Sequence, residues 1–216
     1  MRSRPALGIV LLAAGLVLGA CRGEGGSTTT LVEEEGADAA SVAADLIAAV
    51  RAGNFDEAAA LTVTEQMPWV VMAEGASLAQ AAQLGPEEVV EVAANYWRGF
   101  ADAAHLPDEG GAVEEITVGD NRYAVVSLEG RLQLVLRFDQ AWRVDVIASF
   151  APTIANRLLE AAEAVEANRG DYARGMRDML AEQRNSVEVA ARDRGLPAET
   201  QEDLDALLEV LADLAS

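Results

Sequence analysis

The residues best suited to acid–base chemistry lie close together near the middle of the chain. His105 is the sole histidine, Asp102 precedes it by three positions, and Tyr96 lies one helical segment upstream. A histidine beside a carboxylate or a phenol has the makings of a general base at a pocket mouth. The plainer account is a histidine at a helix C-terminus, where the helix dipole favours a cation. Six side chains are candidates to line a pocket: Tyr96, Trp97, Phe100, His105, Phe138 and Trp142. Large aromatics on an apolar face also serve as plain core packing. The sequence has one histidine, one cysteine and no calcium-loop spacing, so no metal site and no cofactor is expected. It contains no G-x-S-x-G, no P-loop and no dinucleotide-binding glycine motif. No catalytic residue is therefore assigned. The remaining reactive side chain is Cys21, which has no second cysteine to pair with.

The rest of the chain sets limits on partners. There are 216 residues and a formal charge of −20, with 16 arginines and no lysine. Residues 1–20 carry two arginines and no acid, so their removal takes the charge to −22. Such a surface is repelled by nucleic acid and by anionic lipid head groups, and nucleic acid is not an expected partner. Run as Glu33-Glu34-Glu35, the acid reads as solvation.

The first 21 residues have the layout of an export leader. Arg2 and Arg4 form a basic start, an apolar run follows, and Leu18-Gly19-Ala20-Cys21 closes it. The stretch Ala6–Ala20 is 15 residues, short of the ~20 a helix needs to span a bilayer. This segment resembles the lipobox of bacterial lipoproteins. The resemblance implies a diacylglyceryl group on the Cys21 thiol, cleavage before Cys21, and a lipid-anchored protein on the extracytoplasmic face of the cell membrane. Two acyl chains, at about 0.8 kcal/mol per buried methylene, suffice for stable anchoring. Residues 22–36, RGEGGSTTTLVEEEG, lack apolar periodicity and read as a flexible tether with a reach of roughly 20 Å.

Beyond the tether, Asp38–Arg51 is predicted as a helix with Val42, Leu46, Ile47 and Val50 on one face; Gly53-Asn54 ends it and a short helix follows over Asp56–Leu61. Pro68 suits a first helical turn, and Ser77 with Gln80 suits a capping box. Pro86–Ala104 reads as a strong helix with Tyr96, Trp97 and Phe100 on its apolar face. Residues 112–147 are the one β-rich run. Tyr123–Leu128 is apolar on both parities, as in a central strand covered on both faces. Leu132, Leu134, Leu136 and Phe138 alternate, and Trp142, Val144 and Val146 form one face of the next strand. A three-residue loop would pair Phe138 with Trp142 and keep these rows on one face; a two-residue loop would set the leucines beside Arg143 and Asp145. Burial selects the longer loop, leaving Arg143 and Asp145 on a solvated face opposite Trp142. Helices follow, on Ile154–Val165, Tyr172–Val187 and Leu204–Leu214.

The phrases VRAGNFDEA (50–58) and FDQAWRVD (138–145), joined by a long helix and a meander, resemble the NTF2-like (cystatin-like) α+β family over Asp38–Phe150. The resemblance implies an α+β fold: a cone of N-terminal helices on a curved antiparallel sheet, with a pocket lined by the long helix and the strands. The family hairpin commonly carries glycine where this chain has Gln140, and the tail from Pro152 onward is outside the common pattern. The expected organisation is a signal peptide at 1–20, a tether at 21–36, an NTF2-like domain at 37–150 and a C-terminal helical extension at 151–216. The function expected is non-enzymatic: an envelope lipoprotein that binds an apolar or amphipathic small molecule or assists an envelope protein. The alternatives are a small isomerase or dehydratase using His105 with Tyr96 or Asp102, as some family members are, and a structural module whose cone is filled.

Overall fold

The computed structural model describes residues 38–103, 111–128, 133–168, 170–192 and 195–216, with Asp171 and Tyr172 described by their backbone alone. Cys21, His105 and Leu132 lie outside the described residues.

Local chemistry sets the helix ends. The Asp38 carboxylate accepts from the Ser41 amide at 2.7 Å and starts α1 (Ala39–Ala52). Gly53, at φ 75°, ends α1 in the left-handed region that disfavours a side chain. α2 (Phe55–Ala60) follows, then a 3-10 turn at Thr64–Gln66 and α3 (Met67–Ala73) with Pro68 in its first turn. Ser77 and Gln80 form the expected capping box on α4 (Leu78–Ala81). The long helix is α5 (Pro86–Ala103), its acidic first turn matched to the helix dipole.

The sheet is four antiparallel strands in the order β1 (Val113–Val118), β2 (Asn121–Ser127), β3 (Gln133–Asp139), β4 (Ala141–Val144). The hairpin pairs Phe138 with Trp142 and Leu136 with Val144, so the loop is the three-residue one and the apolar rows share a face. Gln140, at φ 61°, takes the left-handed position at its tip. Ala124, Val126, Leu134, Leu136 and Val144 belong to the main core, and α1 lies against β2, β3 and β4. On the opposite face, Tyr123 joins Val118, Val135, Ala148 and Val189 in a second apolar cluster. β2 is thus covered on both sides, as its double-parity pattern requires.

The helices after the sheet are α6 (Val146–Glu166), α7 (Asp171–Glu182), α8 (Arg184–Ala190) and α9 (Ala198–Leu214). Two sequence expectations are corrected here. The last strand stops at Val144, because Asp145 turns inward to cap α6 by accepting from the Ala148 amide at 2.8 Å. The expected Tyr172–Val187 helix is two helices parted at Gln183, whose side chain is drawn into the interior. α6 runs through residue 150 and packs on α3 and β3 as well as on α8 and α9. The chain is α+β; α1, not the long helix α5, covers the sheet.

Candidate functional site

The site begins with an imperfection in α6. Pro152 has no N–H to give the Ala148 carbonyl, and two residues later Ile154 leaves helical geometry (φ −132°, ψ 22°). Beside this bend lies a cavity of about 300 Å³, at the lower end of the ~300–1,000 Å³ usual for small-molecule pockets. α3 contributes Val70 and Ala73 to it, with Glu74 just past the helix end; α5 contributes Tyr96 and Phe100; α6 contributes Phe150, Thr153, Ile154 and Arg157.

Its aromatic wall is held from behind by Trp97, which is fully buried. The Trp97 ring meets Tyr96 at 5.3 Å, Phe100 at 5.5 Å and Phe150 at 6.1 Å between centroids, all near edge-to-face. Its indole N–H donates to the Thr62 hydroxyl at 2.8 Å, and that hydroxyl donates to the Ala58 carbonyl at 2.7 Å. Residues 61–63 also hydrogen-bond the free edge of β4 at Val144. One chain of contacts therefore runs from the sheet edge through Thr62 and Trp97 to the three rings. On the other wall the Trp69 indole N–H donates to the Leu158 carbonyl at 3.1 Å and ties α3 to α6.

The cavity is electrically unbalanced. Burial, and then the nearby Glu74 carboxylate, push the Tyr96 phenol well above its ordinary value, so it stays a neutral donor. Glu74 and Arg157 are both exposed at the rim, and neither side chain makes an ion pair or hydrogen bond among the described residues. Glu74 also borders two adjoining cavities, of about 330 and 490 Å³, and Arg157 borders the second of them.

A second cluster, at the start of α6, is polar and closed. Asp145, fully buried, accepts from Gln66 Nε2 at 2.7 Å, from the Ala148 amide at 2.8 Å and from the Ser186 hydroxyl at 2.7 Å. Arg137 stands 4.0 Å away. The Gln66 carbonyl oxygen takes the Val146 and Ile147 amides, and its amino group also reaches Gln183 Oε1 at 2.8 Å. The Tyr123 hydroxyl lies 3.4 Å from Ser186 Oγ. No buried side-chain polar atom among the described residues lacks a partner. The cluster joins the first α-helical turn of α6 to α8, β3 and the Thr64–Gln66 turn; its polar atoms face one another.

Of the sequence candidates, Tyr96 and Phe100 line the cavity and Trp97 supports it. Phe138 and Trp142 do not join them. They stack edge-on at 5.2 Å near the hairpin tip, with the Arg122 guanidinium over both rings at 4.8 and 5.5 Å, and Phe138 is 36% exposed. Asp102 is exposed near the end of α5. Asp145, expected beside Arg143 on a solvated face, is buried, while Arg143 pairs with Glu65 at 3.3 Å and Asp139 at 3.5 Å. Phe150, Glu74 and Arg157 were not foreseen. The Phe150–Pro152 spacing ahead of a helical pattern was the available signal for a bent helix, as Asp145 before Val146 was for its cap.

A larger cavity, about 560 Å³, lies over the other sheet face between Gln133, Val135 and α8. Two of its polar groups are engaged within the protein, Ser149 Oγ with the Val135 amide at 2.9 Å and Arg192 with Glu188 at 3.0 Å, while Glu114, Gln133 and Thr153 also line it. The smaller cavity differs in setting two unpaired charges of opposite sign beside an aromatic wall. Among the described residues no group of His, Cys, Asp or Glu is placed to hold a metal ion, and no helix is long and apolar enough to cross a membrane. No family model, curated protein or solved structure matches the chain.

Proposed function

We propose that this chain is a cell-envelope lipoprotein that holds an apolar or amphipathic small molecule in the cavity beside the α6 bend, as a binding module and not as an enzyme. The observation that carries the binding half is the wall of Tyr96, Phe100 and Phe150 around about 300 Å³, with Trp97 fixing all three rings. Rigid aromatic walls with a few polar groups at the rim are the usual make-up of a small-molecule pocket. The anchoring half rests on Leu18-Gly19-Ala20-Cys21 and the short apolar run before it. In this reading acyl chains on Cys21 hold the protein to the extracytoplasmic face of a membrane, and the tether lets the domain stand off it. The finer fold reading, an NTF2-like cone, belongs to the same proposal; its support is the VRAGNFDEA turn, the meander and α1 seated on one sheet face.

Native mass spectrometry of the full chain purified from its own envelope tests both halves together. The expected spectrum shows a diacylglyceryl adduct at Cys21 and a non-covalent small molecule that heating removes. An intact leader with an unmodified thiol would end the anchoring claim. For the cavity, Ala73→Phe should abolish binding of a neutral solvatochromic dye, because Ala73 lies on its wall. Dye binding unchanged by that substitution would end the binding claim. Cys21→Ser should move the protein from the membrane fraction to the soluble one.

A further inference from the structure

Resting on the reading of the α3–α5–α6 cavity as a ligand site, the charges at its rim say what kind of ligand it takes. Glu74 follows the last turn of α3, where the helix's own terminal carbonyls carry partial negative charge. A carboxylate gains nothing from the helix at that position, and in a chain of net charge −20 it gains nothing from the surroundings either. No arginine among the described residues pairs with it. Arg157 is its counterpart: a guanidinium on the same cavity, without an ion pair or hydrogen bond among the described residues, one turn past the bend at Ile154. Four other arginines pair with carboxylates, Arg122 with Glu115, Arg137 with Asp145, Arg143 with Glu65 and Arg192 with Glu188, while Arg174 and Arg184 on α7 and α8 are as open as Arg157 among the described residues. What sets Glu74 and Arg157 apart is their place: both border the apolar wall of one cavity. A positive ligand alone would leave Arg157 facing it, and a negative one would leave Glu74.

We infer that the cavity receives a zwitterionic amphiphile, an apolar body against Tyr96, Phe100 and Phe150 carrying an ammonium for Glu74 and an acidic group for Arg157. The rings add to the fit, because aromatic faces attract an alkylated ammonium. Two sources share this chemistry: the head group of a single-chain phospholipid and a free amino acid with an apolar side chain.

Displacement of a neutral solvatochromic dye from the full chain tests the inference and names the source. One series is decylphosphocholine against decyltrimethylammonium, decyl sulfate and decyl maltoside, all as monomers. The other is phenylalanine against phenethylamine and phenylpropionate. In one series the zwitterion should bind about tenfold tighter than every relative, the scale of a single charge-assisted contact. Glu74→Gln should erase its advantage over the anion, and Arg157→Gln its advantage over the cation. Both side chains are exposed, so both variants should fold, and circular dichroism verifies it. Equal affinity across head groups in both series, or a preference that survives both substitutions, overturns the zwitterion and leaves the cavity reading standing. If the dye itself does not bind the parent chain, the cavity reading fails too.

Discussion

One helix, α6, handles charge in two opposite ways along its length. At its start Asp145 is fully buried and every lone pair in reach is taken, by Gln66, Ser186 and the Ala148 amide, with Arg137 close by. Past the bend Arg157 is exposed, and neither its side chain nor that of Glu74, on the same rim, has an ion pair or hydrogen bond among the described residues. A buried carboxylate survives only if its surroundings replace water completely, so the first arrangement is closed and leaves nothing for a ligand. Exposed charges beside an apolar wall keep their water and can exchange it for a guest. The contrast separates a cluster that holds the fold together from one that is free to bind.

The sharpest way to break this contrast is Asp145→Ala. It strands Arg137, Gln66 and Ser186 and should cost about 3–5 kcal/mol in urea unfolding, the usual cost of breaking a buried pair. Dye affinity in the fraction that remains folded should not change. A loss of affinity at unchanged stability would reverse the roles assigned to the two clusters. Next comes Trp97→Phe, which removes the donor to the buried Thr62 hydroxyl and should cost about 1–3 kcal/mol. It should also weaken dye binding, because the three rings lose their fixed backing; an effect on stability alone would place the wall's rigidity elsewhere.

The two tyrosines sharpen the comparison through pH. Burial is the leading cause that raises both phenols, with Glu74 adding to it at Tyr96 and Asp145 at Tyr123. A phenol held above its unfolded value favours the folded state in its neutral form. That contribution is whole below the ordinary tyrosine value of ~10 and is lost as pH rises through the folded-state value. Tyr96→Phe and Tyr123→Phe should each move the alkaline unfolding midpoint upward, as followed by circular dichroism against pH. A midpoint unmoved by Tyr96→Phe would show that its hydroxyl is solvated. The smallest effect is expected at the rim: Glu74→Gln and Arg157→Gln should each change stability by less than about 0.5 kcal/mol, the scale of an exposed substitution.

Much of the frame was legible along the chain. Asp38, Gly53, Ser77 with Gln80, and Pro86 mark helix ends through chemistry that acts within a turn or two. The hairpin register was legible because a one-residue slip would have set Leu134 and Leu136 beside Arg143, and burial forbids it. Two of the three rings of the aromatic wall, and the Trp97 behind them, were legible as well, since Tyr96, Trp97 and Phe100 share one helix. Phe138 and Trp142 look the same in sequence yet lie with Arg122 at the hairpin, because nothing local says which face meets which helix. Asp145 misled for the opposite reason. Strand alternation placed it outward, while Gln66 and Ser186, both distant in sequence, hold it inside.

By itself, then, the sequence determined where α1, α4 and α5 begin, that β2 is central and how the last hairpin is registered. All of these depend on forces that act between near neighbours or on a period of two or 3.6 residues. Only the tertiary structure decided that Phe150 completes the wall begun by Tyr96 and Phe100, that Glu74 and Arg157 meet the same cavity, and that Gln66 and Ser186 converge on Asp145. Those placements follow from how α3, α5, α6 and α8 dock on one another, and docking is fixed by the whole set of packed surfaces, which no local stretch encodes.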